Sequence, residues 1–284
     1  MSLQITTAFV QQYRDNVVHL SQQKGSRLRG TVRIADVTGK NYFFERIGAT
    51  AAIERLGRHT DTPLVSTPHS RRMVTLRTFE WADLVDHADK VRLLIDPQSE
   101  YAVAGGNAMA RRSDDLIIEA AEGNAWAGES GTEAVALPAT QLIANGGVGL
   151  TVEKVIQAAE ILNLSDVDPD EPRYLVYGPR QLTNMLGETE VTSSDYASIK
   201  ALVEGKINSW MGFSWIMSNR LRLDTYRYVL AYTRSSMGLA IGSDITVSID
   251  KRPDKSNSMQ VFLTFDMGAT RVEDEKMVTI ACVE

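Results

Sequence analysis

Cys282 is the single cysteine in 284 residues, so the chain can form no internal disulfide and no cysteine-built zinc or iron–sulfur centre. It sits in the apolar run Met277–Val283 and reads as a small buried hydrophobe on the last strand. Histidine is scarce as well: His19, His59, His69 and His87 stand at no metal-ligand spacing such as i, i+4, and no bound metal or cofactor is expected. No stretch offers the roughly 20 apolar residues of a spanning helix. Met1–Thr7 is short and polar without a signal-peptide pattern, so the reading is a soluble intracellular protein with no membrane partner.

What the chain does have is an ordinary globular composition, 43% hydrophobic and 23% charged, with 20 Gly and 8 Pro. Disordered chains carry too little apolar content for that. The length allows one large domain or two smaller ones. Charge is unevenly placed: residues 1–80 hold twelve Lys and Arg against six Asp and Glu, while the remainder holds 18 against 30, for a net charge of −6. A basic leading segment on an acidic body suits an arm lying on another copy of the chain, or a segment touching nucleic acid.

Apolar spacing predicts one helix between Ile5 and Leu20, broken by the polar stretch Ser21–Ser26. Alternation at Val32, Ile34 and Val37, a turn at Thr38-Gly39-Lys40, and Tyr42 and Phe44 returning predict a hairpin. From Arg46 to Arg72 the chain is poor in apolar residues and carries Arg46, Arg55, Arg58, Arg71 and Arg72; so long a segment finds its packing outside its own domain, as a loop docking on neighbours. Met73–Trp81 alternates as one strand. Asp96-Pro97 opens a long helix reaching about Trp126, which Gly105-Gly106 is expected to bend. A module from about 140 to 235 follows: a helix capped by Thr151, a strand at Arg173–Tyr177, a helix from Pro179 ended by Gly187, a helix from Ser193 or Ser194 to Gly205, and strands at Trp210–Met217 and Tyr226–Tyr232. Three more strands, Asp244–Ile249, Met259–Phe265 and Met277–Val283, close the chain, with turns at Arg252-Pro253-Asp254 and Met267-Gly268. The class is mixed α+β.

No enzymatic constellation emerges. Asp83, Asp86, His87 and Asp89 form the densest titratable cluster, which a solvated helix turn explains. Asp166, Asp168 and Asp170 match three calcium-loop ligands, but Glu171 replaces the turn glycine and Tyr177 the bidentate Glu. Ser21–Lys24 has Ser-x-x-Lys spacing without a Lys-Thr-Gly. Gly146-Gly147-Val148-Gly149 lacks a full phosphate-loop pattern and reads as a hinge. Tyr226, Tyr228 and Tyr232 with Arg222, Arg227 and Arg234 could stack on single-stranded nucleic acid, but alternation on a half-buried strand gives the same pattern.

The order of elements, with Val91–Pro97 leading to Tyr101 and Ala108–Asp115, then Thr192–Tyr196, Gly205-Lys206-Ile207, Met211–Asn219, Gly268–Val272 and Met277–Ile280, resembles a tailed-phage major capsid protein of the Hong Kong 97 type over nearly the whole chain. The resemblance implies an N-arm at 1–30, an extended E-loop hairpin at 31–80, a peripheral domain with a spine helix at 81–139, an axial domain at 140–234 and peripheral return strands at 235–284. It implies a non-enzymatic subunit of an icosahedral head shell, assembled in the host cytoplasm into hexamers and pentamers around double-stranded DNA without sequence specificity. Scaffold, portal and decoration proteins are the further partners such a shell takes; an encapsulin-type nanocompartment subunit is the alternative. Inter-subunit contacts are expected at Arg46, Arg55, Arg58, Arg71 and Arg72. Lys40 is the one Lys between Lys24 and Lys90, and no autocatalytic cross-linking is expected.

Overall fold

Apolar residues recurring every second position in the last third of the chain make long strands, and an alanine-rich stretch with period near 3.6 makes the helix that covers them. The computed structural model describes residues 22–54, 57, 61–62, 64–85, 97–187 and 209–284. Its elements run β1 (Arg33–Asp36), β2 (Asn41–Ile47), β3 (His69–Thr75), β4 (Arg77–Val85), α1 (Pro97–Glu122), β5 (Ala125–Ala127), β6 (Glu133–Val135), β7 (Leu142–Ile143), α2 (Val152–Leu164), β8 (Arg173–Tyr177), α3 (Pro179–Gly187), β9 (Ser209–Trp210), β10 (Phe213–Met217), β11 (Arg227–Thr233), β12 (Met237–Arg252), β13 (Ser258–Arg271) and β14 (Met277–Cys282). The helices expected over 5–20 and from 193 to 205 lie outside the described residues.

Among the described residues three sheets form: β1-β12-β13-β4, β7-β14-β11-β8-β10-β9 and β2-β3-β5-β6. Helix α1 lies across the first, where Met109, Leu116 and Ile117 pack with Leu239, Val261, Leu263 and Phe265. Each such side chain contributes roughly 1.5–3 kcal/mol on leaving water. The six-stranded sheet is buried on both faces. Val176, Leu230, Tyr232 and Met277 join the α1 core, while Leu175, Val229, Ala231, Val278 and Ile280 pack under Val155, Ala158 and Leu162 of α2 and Met185 of α3. Two covered faces explain why β8, β11 and β14 read as unbroken apolar runs. Cys282 is buried in this second core, and burial pushes its thiol pKa up to about 11.

Several expectations change. Residues 32–44 do not close on themselves: β1 pairs in parallel with Gly238–Ile241 of β12, and β2 pairs with β3, so the hairpin is 41–75. Crossing to another sheet lets Phe44 bury against Val74 and Ala240, which a local hairpin could not provide. The strand expected over 73–81 splits at Leu76, whose N–H donates to Lys40 O at 2.8 Å as the chain passes from one sheet to another. Met211 and Gly212, both left-handed, likewise separate β9 from β10. Helix α1 runs unbroken through Gly105, where a Cβ would lie 2.6 Å from the Trp81 ring; the glycine serves close helix–sheet approach rather than a bend. Met267-Gly268 is not a turn but the interior of β13, and there a Cβ on Gly268 would meet Thr75 O at 2.5 Å. The last strand, β14, sits between β7 and β11 in the six-stranded sheet.

Candidate interaction surface and its anchors

Asn107, Arg111 and Asp114 are spaced four and three apart on α1 and therefore share one face. That face holds the incoming chain. Gly25 N–H donates to Asn107 Oδ1 at 3.1 Å, and Arg111 Nη1 donates to Gln22 Oε1 at 2.8 Å and Gln23 O at 3.1 Å. Asp114, 0% exposed, accepts from Gln23 Nε2 at 2.7 Å, Ser26 Oγ at 2.5 Å, Arg27 N at 3.0 Å and Leu28 N at 3.1 Å. A buried carboxylate is tolerable because both oxygens are filled by donors. Beside it a cleft of about 590 Å³ opens between Arg27, Arg111 and Arg220, whose guanidiniums are already engaged by Met217 O, by Gln22 Oε1 with Gln23 O, and by Asp115 respectively.

The ribbon β2–β3 has two unlike faces. Phe44, Arg72 and Val74 turn inward and are buried, while Phe43, Glu45, Ile47, Arg71 and Met73 share the outer face. Arg72 is 4% exposed and donates through Nη2 to Asp274 Oδ2 at 2.5 Å. The other carboxylate oxygen accepts from Arg271 Nε. Arg271, 0% exposed, also donates to Ala121 O at 3.0 Å, Gly123 O at 2.8 Å and Val135 O at 3.0 Å. It therefore caps the open carbonyls at the end of α1, where a cation also suits the helix dipole. One buried Arg–Asp–Arg unit thus joins β3, β13, β6 and the helix end. Burial lowers the Arg72 pKa, and Arg46 and Arg271 add to that, against the opposing pull of Asp274.

Of the five arginines expected at subunit contacts, Arg72 is turned inward and committed to its own subunit. Arg46 donates to Val272 O at 2.8 Å and Ser70 Oγ at 3.1 Å, so it too braces the ribbon against β13. Arg71 faces outward, 3.4 Å from Glu45 and 5.3 Å from the Phe43 ring centroid. Arg55 and Arg58 lie outside the described residues. Beyond the ribbon, Ile53 is 57% exposed and Leu64 94% exposed.

The other sequence candidates find structural roles. Asp83 lies on β4; Asp86, His87 and Asp89 fall outside the described residues, as do His19 and His59. Asp168 Oδ1 accepts from Asp170 N at 2.9 Å, a local turn. Among the described residues no three His, Cys, Asp or Glu side chains converge as a metal site would require, and no helix is long and apolar enough to cross a membrane. The Gly146–Gly149 loop is not free: Lys154 Nζ donates to Asn145 O and Gly149 O at 2.8 Å and to Val148 O and Ala281 O at 3.0 Å. Tyr232 is buried with its hydroxyl 2.6 Å from Thr31 Oγ1, and Arg222 stacks on Tyr228, so that strand presents no open stacking platform.

Sequence reasoning missed Asp114, Asp274 and Lys154. Two of them carried a signal. Asp114 falls on the same stripe of α1 as Ala110, Ile117 and Ala121, and Lys154 on the stripe of Ala158 and Leu162. A charge on an apolar stripe must be buried with partners.

The sequence matches a family model described as phage capsid protein over residues 5–284. No curated protein matches it. Among solved structures, the capsid of cyanophage P-SCSP1u is 15% identical with a TM-score of 0.75, covering 99% of this chain and 94% of that one. The capsid of Ralstonia phage GP4 is 12% identical with a TM-score of 0.74, covering 96% and 95%. A structure from Mycobacterium phage Che8 is 15% identical with a TM-score of 0.70, covering 96% and 97%. At these identities the likeness is one of fold.

Proposed function

The chain belongs to the phage capsid protein family, and from that premise we propose that it is the major capsid protein of a tailed phage, closing with its own copies into an icosahedral head shell around double-stranded DNA. Its role is structural. We assign the N-arm to the segment held by Asp114, the E-loop to the β2–β3 ribbon with residues 48–68, the spine to α1, the peripheral domain to the β1-β12-β13-β4 sheet and the axial domain to the six-stranded sheet.

The observation that carries this reading is the ribbon. Its base is locked to the body by the buried Arg72–Asp274–Arg271 unit, while its far segment leaves Leu64 94% exposed. A rigid mount for an uncovered apolar segment fits a contact with another molecule. Charge agrees: a leading segment of net +6 on a remainder of net −12 gives each copy a basic reach and an acidic seat, both taken from the sequence. A shell of many copies works best with modest contacts, about 0.2–1 kcal/mol per exposed ion pair, so that errors dissociate before closure.

Expression of the chain, alone and with its neighbouring genes, followed by size-exclusion chromatography and negative-stain electron microscopy, tests the reading. Closed shells, or sheets and tubes of hexamer-like units, are expected. A chain that stays monomeric across salt and concentration in both cases overturns it. Particle contents, DNA or protein cargo, separate a phage head from a nanocompartment.

A further inference from the structure

Arginines elsewhere on the body answer carboxylates: Arg29, Arg112, Arg222 and Arg252 pair with Asp244, Glu119, Glu122 and Asp254 at 2.6, 2.7, 3.4 and 2.8 Å. Arg27 and Arg111 differ. Among the described residues their side chains bond to neutral oxygens alone, Arg27 to Met217 O at 2.5 Å and Arg111 to Gln22 Oε1 and Gln23 O. They meet Arg220 around the cleft beside Asp114, each from a different part of the chain: the leading segment, α1 and the turn after β10. No acidic residue lines that cleft, and Gln23 and Asn219 add neutral amides. The guanidiniums are held but not used up. Nε and Nη2 of Arg27 and of Arg111, and Nη1 of Arg220, have no hydrogen-bond partner among the described residues. The turn that carries Arg220 is itself fixed, since Ser218 N–H donates to Tyr177 O at 2.8 Å and Arg220 N–H to Ser218 Oγ at 3.3 Å. Pinned forks with spare donors have already met much of the ordering cost of binding an anion.

We infer that the Arg27, Arg111 and Arg220 cleft seats the phosphate backbone of the enclosed DNA, and that the face of α1 holding the leading segment is the one turned to the shell interior. The inference rests on the shell reading and adds the genome contact. Guanidinium forks match phosphate oxygens bidentately, and DNA offers about one negative charge per 1.7 Å of helix axis whatever its sequence. Contacts to that backbone position a duplex and carry no sequence information, as a shell that encloses any part of a genome requires. The count of arginines fits the same task. Each neutralised phosphate contributes roughly 0.9 to the salt dependence of binding, so a cleft of three holds weakly in one copy and broadly over many. A chain of net charge −6 repels DNA over most of its surface, which confines the contact to such a cleft and leaves the genome free to depart.

Fluorescence anisotropy with a mixed-sequence DNA duplex, on full-chain subunits dissociated from shells, tests it. The slope of log affinity against log salt should fall by about one in R27Q and by about one more in R27Q/R220Q. R27K keeps the charge and should keep the parent slope, and K255Q, at an exposed position in the β12–β13 turn, should leave it unchanged. Thermal unfolding verifies that each variant is folded; Arg27 is exposed, so R27Q carries the test even where R220Q loses stability with its Asp115 pair. Empty closed shells of the parent should not bind the duplex added from outside, because the cleft faces inward. A slope unchanged in R27Q/R220Q, or closed shells that bind the duplex as dissociated subunits do, overturns the inference. Two competitors test the source of the anion. Inorganic phosphate that displaces the duplex at equal phosphate concentration would give the cleft to a free anion, and a poly-glutamate peptide that binds more tightly than a duplex of equal charge would give it to an acidic protein; either result overturns the genome contact. If the parent chain forms no shell with its neighbouring genes, the shell reading falls and this inference with it; shells whose R27Q/R220Q subunits bind DNA as the parent does overturn this inference alone.

Discussion

Arg72 and Asp274 meet at 2.5 Å across 202 residues of sequence, with 4% and 11% of their side chains exposed. The pair fixes how the β2–β3 ribbon leaves the body, because Asp274 also receives Arg271, whose remaining donors hold the end of α1 and β6. Removing the shared carboxylate leaves two guanidiniums buried together without an anion. D274A should cost about 3–5 kcal/mol in urea unfolding of the dissociated subunit. R72M, which removes a charge and keeps an apolar stem, should cost less than D274A. The reverse order would mean that the ribbon is held mainly by packing.

Asp114 does for the leading segment what Asp274 does for the ribbon. Asparagine at this position keeps one acceptor and sets an NH2 against donors, so D114N should free Gln23–Leu28 from α1 at a cost of about 2–4 kcal/mol. Hydrogen exchange at the Arg27 and Leu28 amides, together with tryptic cleavage after Arg27 and Arg29, reads this locally. Unchanged protection at those amides would count against the clamp.

Elements governed by local chemistry were legible in the sequence. Pro97 opens α1, Thr151 Oγ1 accepts from Lys154 N at 3.4 Å at the start of α2, and β8 spans Arg173–Tyr177. Pairings between distant segments were not. Nothing near β1 says that its partner is Gly238–Ile241, because register is set by which faces must be covered. The arginines show the same divide. Arg72 stands two residues from buried Val74, and Arg71 two from half-buried Met73, so strand period alone sends them to opposite faces. Grouping the loop's arginines together as subunit contacts leaves that period unused. Glycine misled in a similar way: Gly105 and Gly268 suggested a bend and a turn, but each marks a close approach made by a residue far away in the chain.

Glu122 sits badly. Its Oε1 is buried without a partner, Arg222 reaches the other oxygen only at 3.4 Å, and it occupies the last turn of α1, where the helix dipole disfavours an anion. Burial raises its pKa, against the pull of Arg222. A raised carboxyl pKa means that the fold binds the proton more tightly than the unfolded chain does. Its contribution is therefore complete below the ordinary carboxylate range and is lost as pH climbs through the folded-state value. E122Q should stabilise the subunit by up to about 1 kcal/mol at pH 7. The gap between variant and parent should close as the pH is lowered to about 4, in thermal unfolding across that range. A parent as stable as E122Q at pH 7 and less stable at pH 4 would refute it.

Charge reversal separates assembly from folding along one loop. R71E replaces a half-exposed cation whose partner, Glu45, lies 3.4 Å away on the same ribbon, a pair contributing about 0.2–1 kcal/mol to the fold. That loss is small beside the stability of a domain, so R71E, and equally R55E with R58E, should yield folded subunits that fail to form normal shells. R72E instead places a second acid at the Asp274 site and leaves Arg271 to neutralise both carboxylates, so it should fail before assembly, as insoluble or protease-sensitive chain. Salt supplies the control. Exposed contacts are screened over a distance of about 10 Å at 0.1 M ionic strength, whereas buried pairs are not. Raising salt should therefore weaken assembly of the parent in the manner of R71E, without lowering its unfolding midpoint in the manner of R72E. Normal particles from the R55E/R58E double reversal would show that the basic loop does not read charge on its neighbour.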